Sequence, residues 1–375
     1  MSGQRLVPLD ALRGLAIAAV VFWHYGIVFV NDNPIRIAFG LAWTGVDLFF
    51  VLSGYLIGGQ LMDNRERHAY FVPFYARRAF RILPLYLLCL GLFSLLGYAA
   101  RDETPFWSYF LFLQNFVWAA KGDWGPEWTQ VTWSLAIEEH FYLLLPLVIR
   151  VAPRRHLGVI VVVLAALGPL SRTVMLLGGT TPLTAFLVST SRFDPLFIGV
   201  LAAWLMRHRA VASFFTRRRD ALVATTVLFA AGMAVITFIR WEPITFPKAI
   251  FGYMCIGLFY GSFLLMVVTG PLPAWTSLPV KVLSWLGIGA YSIYLFHIPV
   301  LVLARLVVPV RGMVEVVALV VTLLLAIVCW RIIERPAIAF ARQRFTYGSQ
   351  TAPDDPPLAA TAAWRPLAGR RETAA

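Results

Sequence analysis

The chain has 375 residues, of which 59% are hydrophobic and only 14% are charged, and its mean hydropathy is +0.74. Soluble globular domains carry about 25% charged and about 45–50% apolar residues. This composition excludes a soluble, a disordered or a fibrous protein and predicts a polytopic membrane protein. The net charge of +13 does not indicate a nucleic-acid partner, because the basic residues cluster at the ends of apolar segments, where they set membrane topology.

Apolar segments long enough to cross a membrane recur along the chain, since a spanning helix needs about 20 mostly apolar residues. We predict an all-α, polytopic transmembrane helix bundle of about ten spans. The stretch 105–119 is apolar and aromatic but too short, which favours a re-entrant or interfacial segment. The predicted spans are 12–30, 41–60, 82–100, 130–150, 157–177, 193–207, 221–239, 248–269, 282–303 and 313–333.

The charged residues between these spans indicate their orientation. With ten spans, most clusters of Lys and Arg fall on one side, which should be cytoplasmic and should hold both termini. The opposite loops are mainly acidic, with Arg305 and Arg311 as exceptions. We expect the first span to be retained, because no small-residue cleavage site follows it. The Pro-, Ala- and Thr-rich stretch 347–375 predicts a disordered cytoplasmic tail behind a membrane domain of residues 1–346.

The three cysteines lie singly within apolar segments, so neither a disulfide framework nor a CxxC metal site is expected. The histidines and carboxylates of the predicted spans are scattered and lack the spacing of metal ligands. The sequence therefore predicts no metal ion. Nothing in the pattern indicates an oligomeric state.

Ionisable residues inside predicted spans are the first candidates for function, because a charge at membrane depth is costly. They are His24, Asp47, Glu138, Glu139 and His297, together with Arg13 at the start of the first span and Glu334 at the end of the tenth. Each alone has a structural explanation. A histidine can be buried in the core with its hydrogen bonds made, an aspartate can pack against a buried arginine, and a glutamate near the membrane boundary can face water. Their combination in one bundle favours a functional interior.

Two spacings add detail to this interior. Arg13 and His24 are 11 residues apart, which in an α-helix places them about 20° apart around the axis and about 16 Å apart along it. Glu138 and Tyr142 share a helix face because they are four residues apart. Arg13 alone is also explained as an anchor at the membrane interface.

The basic segment Arg77–Arg81 has two interpretations. It is a topology signal that contacts anionic lipid headgroups, or it binds a cytoplasmic polyphosphate through fixed guanidinium groups. The sequence contains no phosphate-binding loop, dinucleotide fingerprint, HExxH motif or serine-nucleophile elbow.

Five segments, in this order along the chain, carry a family resemblance: LDALRGLAIAAVVFWH, GVDLFFVLSGYLI, FYARRAFRILPLY, WSLAIEEHFYLLLP and LGIGAYSIYLFHIPV. Together they resemble the integral membrane acyltransferase-3 family, which includes bacterial O-antigen O-acetyltransferases and macrolide O-acyltransferases. The resemblance covers about residues 6–336. Many family members carry a second, periplasmic esterase-like domain, and because this sequence ends in a short tail we expect it to resemble the stand-alone type. The family usually has glutamine where this chain has His140.

The resemblance implies an enzyme of a bacterial-type cytoplasmic membrane. Its donor would be acetyl-CoA or another short acyl-CoA from the cytoplasm, and its acceptor a hydroxyl of a surface polysaccharide or lipid-linked sugar. By motif, His24, Asp47 and Glu138 are catalytic candidates. Arg13, Arg78 and Arg81 match the donor side. We assign acceptor binding to residues in or near the outer half of the predicted bundle, namely Trp133, Ser134, Glu139 and His297.

The mechanism that follows needs one base and a fixed geometry. A histidine suits this task, because its ordinary pKa lies near neutrality. His24 would accept the proton of the attacking hydroxyl, and Asp47 is hypothesised to orient its ring, as a carboxylate does in a triad. The pantetheine arm would follow the first helix from Arg13 towards His24.

Three other functions stay open. A secondary metabolite such as a macrolide is the main alternative acceptor. A proton-coupled transporter of lipid or saccharide would also use buried histidines and carboxylates, but paired Gly/Pro interruptions in two halves of the chain are not evident. A structural membrane protein, which would contact only lipid and other proteins, does not explain the ionisable residues.

Overall fold

The computed structural model describes residues 7–26, 40–95, 103–238, 246–270, 277–310 and 312–348. Regular secondary structure in these ranges is helical, without a β-strand, which confirms the all-helical class. The α-helices are α1 (Val7–Val21), α2 (Gly45–Asp63), α3 (Phe71–Leu95), α4 (Phe106–Phe110), α5 (Gln114–Lys121), α6 (Thr132–Val151), α7 (Leu157–Leu177), α8 (Pro182–Leu187), α9 (Phe193–Leu205), α10 (Arg209–Arg217), α11 (Arg219–Phe238), α12 (Tyr253–Val268), α13 (Leu278–Ile288), α14 (Ala290–Val307), α15 (Met313–Cys329) and α16 (Arg335–Arg344).

Within the described ranges, six helical segments are long and apolar enough to cross a membrane, so the chain is a multi-pass membrane protein. A seventh candidate is the pair Ser189–Leu205 and Arg209–Arg217, which is bent by 98°. The count of ten spans and the cytoplasmic location of the termini stay predictions. The six segments are Val7–Gly26, Ala42–Asp63, Arg154–Leu177, Lys248–Val268, Ala290–Val307 and Met313–Arg344.

Two predicted spans differ from the helices that the structure contains. The span predicted at 82–100 belongs to α3, which begins at Phe71, so the basic segment Arg77–Arg81 is helical rather than a loop. Its charges lower hydropathy but do not oppose helix formation. The span predicted at 282–303 is divided between α13 and α14 at Gly289. Glycine there destabilises a continuous helix, because its backbone loses more conformational entropy on folding than that of any other residue.

Smaller differences concern the ends of the predicted segments. The first span ends in a π-helical turn, Phe22–Gly26. The predicted angle between Arg13 and His24 assumed a regular α-helix, so it does not apply as far as His24. Residues 27–30 of that prediction lie outside the described ranges. The stretch 105–119 contains the short helices α4 and α5, and its interfacial placement stays a prediction.

Glycines bring the backbones of two helix pairs into direct contact. A Cβ on Gly14 of α1 would lie 1.8 Å from the carbonyl oxygen of Leu283 in α13. A Cβ on Gly54 of α2 would lie 1.9 Å from the carbonyl oxygen of Leu196 in α9. In lipid, such close packing of small residues is the main attraction between helices. These contacts fix α1 and α2, which carry several of the candidate site residues.

The segment after α16 packs against the cytoplasmic-side residues of α2 and α3 in our predicted orientation. Arg77 Nε donates a hydrogen bond to the carbonyl oxygen of Phe345 at 2.8 Å, and Gln60 Nε2 donates to the hydroxyl of Tyr347 at 2.9 Å. Tyr347 and Gly348, which the sequence analysis assigned to the tail, thus contact the membrane domain. Residues 349–375 lie outside the described ranges, and their disorder stays a prediction.

We expect Gly54→Ala to lower the thermal stability of the purified protein, because the new methyl group overlaps the Leu196 carbonyl and overpacking costs about 1–3 kcal/mol. Thermal unfolding in detergent measures the effect. Gly91→Ala is the matched control, since a Cβ there would have no heavy atom within 4 Å. Equal melting temperatures for the two variants would contradict the close contact of α2 with α9.

Candidate active site

Three neighbouring cavities run through the described helices, and each shares lining residues with the next. The first, which we call the basic cavity, has a volume of about 950 Å³. The middle cavity has about 110 Å³ and shares Arg13, Arg78 and Arg81 with the basic cavity. The third, the aromatic cavity, has about 350 Å³ and shares Val46 and Tyr294 with the middle cavity. The three therefore follow one another in space.

Arginine side chains dominate the basic cavity. Its walls come from α1, α2, α3, α13 and α16, together with Tyr347 beyond the last helix. All three residues assigned to donor binding line it, which brings together residues that the sequence placed in separate segments of the chain. Its cationic lining residues are Arg13, Arg77, Arg78, Arg81, Arg335 and Arg342. Such an array suits a ligand with several negative charges.

The middle cavity contains a hydrogen-bonded carboxylate. Ser53 Oγ donates to Glu138 Oε1 at 2.7 Å, and the Tyr142 hydroxyl donates to Glu138 Oε2 at 3.2 Å. The predicted shared face of Glu138 and Tyr142 is thus present. The Arg78 guanidinium carbon lies 5.8 Å from the centre of the Tyr142 ring. Ser134, also on α6, lines this cavity, and its Oγ is 2.6 Å from the Tyr294 hydroxyl oxygen.

Aromatic side chains surround the third cavity. Trp133, one of the predicted acceptor-binding residues, lines it, as does His24. Gln130 adds a polar side chain. The aromatic lining residues are Trp23, Trp43, Trp124, Trp133, Phe186 and Tyr294. Flat apolar faces with a few polar groups suit a ligand that has both apolar faces and hydroxyl edges.

The hydrogen bonds of His24 and His297 define their tautomers. His24 Nδ1 lies 2.9 Å from the carbonyl oxygen of Val20, and His297 Nδ1 lies 2.8 Å from that of Tyr294. A carbonyl only accepts, so each neutral ring carries its proton on Nδ1. The single Nδ1 proton of His24 is then shared between the Val20 carbonyl and His297 Nε2, which lies 3.2 Å from His24 Nδ1. The lone pair of His24 is consequently on Nε2, for which the described residues supply no hydrogen bond.

His297 lies behind His24 rather than in a cavity wall. Its side chain is fully buried, and it lines none of the three cavities. Its backbone carbonyl accepts a hydrogen bond from the Tyr25 hydroxyl, which also contacts Thr322 of α15. The geometry therefore places His297 in contact with His24 and outside the walls of these three cavities, and its assignment to the acceptor stays a prediction.

Asp47 does not pair with His24. Its Oδ1 accepts a hydrogen bond of 2.6 Å from Arg192, and both side chains are fully buried. The triad-like arrangement suggested from the sequence is absent from the described part of the chain, and the alternative, a partner for a buried arginine, is present. The physical reason is that an arginine buried at this depth needs a counter-charge nearby.

A second buried pair lies beside the first, and neither Arg172 nor Arg192 was predicted from the sequence as a candidate. Arg172 of α7 makes two hydrogen bonds of 2.9 Å to Asp194 of α9. It also donates to the backbone carbonyls of Ser191 and Ala249. Arg172 and Asp194 fall inside predicted spans, so the rule that singled out Asp47 applied to them as well.

The remaining candidates lie away from the cavities. Glu139 lines none of the three, and its Oε1 is buried without a hydrogen-bond partner in the described residues. His140, which stands where the family usually has glutamine, has Nδ1 2.6 Å from Ser189 Oγ. No group of three or more His, Cys, Asp or Glu side chains suited to a metal occurs among the residues described.

Comparison with known proteins identifies the class. The family model for the membrane acyltransferase domain, acyltransferase-3, matches residues 7–333. The chain therefore belongs to the acyltransferase-3 family. No solved structure matches it.

Relatives in this family carry names that refer to peptidoglycan or to O-acetyl transfer. The "Putative peptidoglycan O-acetyltransferase YrhL" of Bacillus subtilis is 28% identical over 89% of this chain and 55% of the relative. The O-acetyltransferase OatA of Staphylococcus aureus is 27% identical over 90% and 58%. The peptidoglycan O-acetyltransferase OatA of Listeria monocytogenes is 26% identical over 89% and 56%. The chain thus spans little more than half the length of these relatives.

We expect Asp47→Ala to lower the melting temperature strongly, because it leaves Arg192 buried without a counter-charge, and loss of one partner of a buried pair costs about 3–5 kcal/mol. Arg192→Leu in the same background should restore part of the loss, which a double-mutant cycle measures.

Asp63→Ala is the control, on the same helix. Asp63 makes a pair of the same 2.6 Å length with Arg207, but both side chains are partly exposed, and exposed pairs contribute about 1 kcal/mol or less. If Asp47→Ala kept the melting temperature of the wild type, the conclusion that Asp47 stabilises the fold as the counter-charge of Arg192 would be wrong.

Proposed function

We propose that this protein is an O-acyltransferase that moves an acyl group, acetyl in the first instance, from a cytoplasmic acyl-CoA to a hydroxyl of a surface glycan or a lipid-linked sugar. One observation carries the proposal: the Nε2 lone pair of His24 belongs to a residue that lines the aromatic cavity, and the middle cavity shares lining residues both with that cavity and with a pocket of arginines. Family membership and the names of the relatives support the same reaction class.

The donor would lie along the basic and middle cavities. Arg13, Arg78 and Arg81 would bind the phosphates of CoA, because guanidinium groups form paired, charge-assisted hydrogen bonds with phosphate oxygens. Glu138, held by Ser53 and Tyr142, is an acceptor for an amide N–H of the pantetheine arm. The thioester would then reach the junction of the middle and aromatic cavities.

The acceptor would occupy the aromatic cavity. Sugar rings have apolar C–H faces and hydroxyl edges, so tryptophan rings and a glutamine side chain suit them. The presence of Trp23, Trp43, Trp124 and Trp133 around His24 favours a glycan over a purely apolar ligand. The peptidoglycan named for two of the relatives is one such glycan.

Transfer proceeds by direct attack. The acceptor hydroxyl oxygen bonds to the thioester carbonyl carbon while His24 Nε2 takes the hydroxyl proton. The C–S bond breaks, and the sulfur leaves and receives the proton from the imidazolium. Hydrogen bonds from His24 Nδ1–H to the Val20 carbonyl and to His297 Nε2 stabilise the cation that forms in between. Fixed positions of donor and acceptor supply much of the remaining acceleration.

His24→Ala should lower kcat by about 10²–10⁴-fold, the usual contribution of a general base, while thermal stabilisation by acetyl-CoA persists. Transfer of labelled acetyl from acetyl-CoA to a glycan acceptor measures it. His208→Ala is the control, because His208 Nδ1 makes the same 2.9 Å contact with the carbonyl four residues earlier but lines none of the three cavities. Full activity of His24→Ala would refute the mechanism.

Arg78→Ala combined with Arg81→Ala should raise the Kd of acetyl-CoA at least about tenfold, since hydrogen bonds to charged groups contribute about 1.5–3 kcal/mol each. Binding is measured by thermal shift of the purified protein. Arg217→Ala combined with Arg218→Ala removes the same charge outside the three cavities. Equal affinity of both double variants would assign Arg78 and Arg81 to topology alone, and no binding by the wild type would favour the transporter.

A further inference from the structure

Two residues, Val46 of α2 and Tyr294 of α14, form the boundary between the middle and the aromatic cavities. Both line both cavities, whereas Ser53 and Glu138 line only the middle one and His24 only the aromatic one. In the proposed reaction, on which this inference rests, the thioester carbonyl must meet the acceptor hydroxyl between these groups. The acyl chain attached to that carbonyl must therefore fit beside Val46 and Tyr294.

The Tyr294 ring is held in place from several sides. Its hydroxyl donates to the carbonyl oxygen of Val131 at 3.0 Å and lies 2.6 Å from Ser134 Oγ. The ring also packs edge-on against Phe49, with ring centres 6.2 Å apart. A side chain whose hydroxyl and ring are both engaged does not move aside at low cost, because those contacts would be lost together.

Val46 is fixed through its two neighbours in the chain. A Cβ on Gly45 would lie 2.6 Å from the carbonyl oxygen of Ala16, so the start of α2 is in contact with the backbone of α1. On the other side, Asp47 is held by Arg192. Valine itself is stiff, because branching at Cβ restricts its first torsion angle. The boundary therefore has two rigid walls.

We infer that Val46 and Tyr294 select the length of the acyl group and restrict the enzyme to the shortest acyl-CoA donors. A rigid wall excludes acyl groups that are too long for the space beside it. One extra methylene in a rigid pocket changes kcat/KM by about 10–200-fold. The Ser53–Glu138–Tyr142 group binds the arm that all acyl-CoA molecules share, so it cannot make this distinction. The acyl specificity thus resides at the boundary and not at the residues that bind the CoA arm.

The test compares acetyl-, propionyl- and butyryl-CoA as donors with one glycan acceptor. The wild type should prefer acetyl-CoA to butyryl-CoA by at least about tenfold in kcat/KM. Val46→Ala removes two methyl groups from the wall and should raise the butyryl/acetyl ratio at least about tenfold. Tyr294→Phe releases the ring from Val131 and Ser134 and should move the ratio in the same direction, which covers the case that Val46→Ala does not fold.

Val51→Ala is the matched control, because Val51 is fully buried on the same helix but lines none of the three cavities. It should lower stability and leave the ratio unchanged. Transfer from acetyl-CoA with an unaltered ratio in both boundary variants would overturn this inference while the proposed function stands. A wild type that uses butyryl-CoA as well as acetyl-CoA would also overturn it. No transfer from any acyl-CoA would overturn the proposed function itself.

Discussion

The buried ion pair between Asp47 and Arg192 is the constraint on which the arrangement of the cavities depends. Neither side chain is exposed, and the Arg192 guanidinium also lies 4.8 Å from the ring centre of Phe186, an aromatic-cavity residue. Because an unpaired charge at this depth is very unfavourable, the start of α2 cannot separate from the helical turn that carries Arg192. The pair between Arg172 and Asp194 extends this restraint to α7 and α9.

The close contacts of glycine have a complementary effect. The ion pairs determine which helix surfaces are in contact, and Gly14 and Gly54 allow the helix backbones to approach closely. With α1 held against α13 and α2 against α9, the arginines of the basic cavity and His24 line two different cavities, each of which shares lining residues with the middle cavity. The proposed reaction requires donor and acceptor to meet between them, and a rigid frame favours it because a small displacement at the meeting point costs much of the rate.

Much of this arrangement could be predicted from the sequence, and the part that could not has physical reasons. Hydropathy identified the helical class, and the cost of buried charge singled out His24, Asp47 and Glu138. Arg13, Arg78 and Arg81 line one cavity, and their role in donor binding stays a prediction. The second buried pair was also open to prediction, since Arg172 and Asp194 lie inside predicted spans, whereas Arg192, the partner of Asp47, lies just before one.

Other features depend on three-dimensional contacts that no spacing encodes. The contact between His24 and His297 joins residues 273 positions apart, and hydropathy does not distinguish the π-helical turn at His24 from a regular α-helical end. His297 and Glu139 were assigned to the acceptor from their depth alone. Depth does not specify which way a helix face points, and both side chains lie outside the cavity walls.

The basic cavity joins the beginning of the described chain to its end. Arg13 belongs to α1, while Arg342 and Tyr347 belong to α16 and the residues after it. Synthesis proceeds from the N-terminus, and early segments fold first. The arginines of α1 and α3 are therefore present before the wall that encloses them. A nascent chain has the charges without the enclosure, so the pocket comes into existence only when the last described helix has been made.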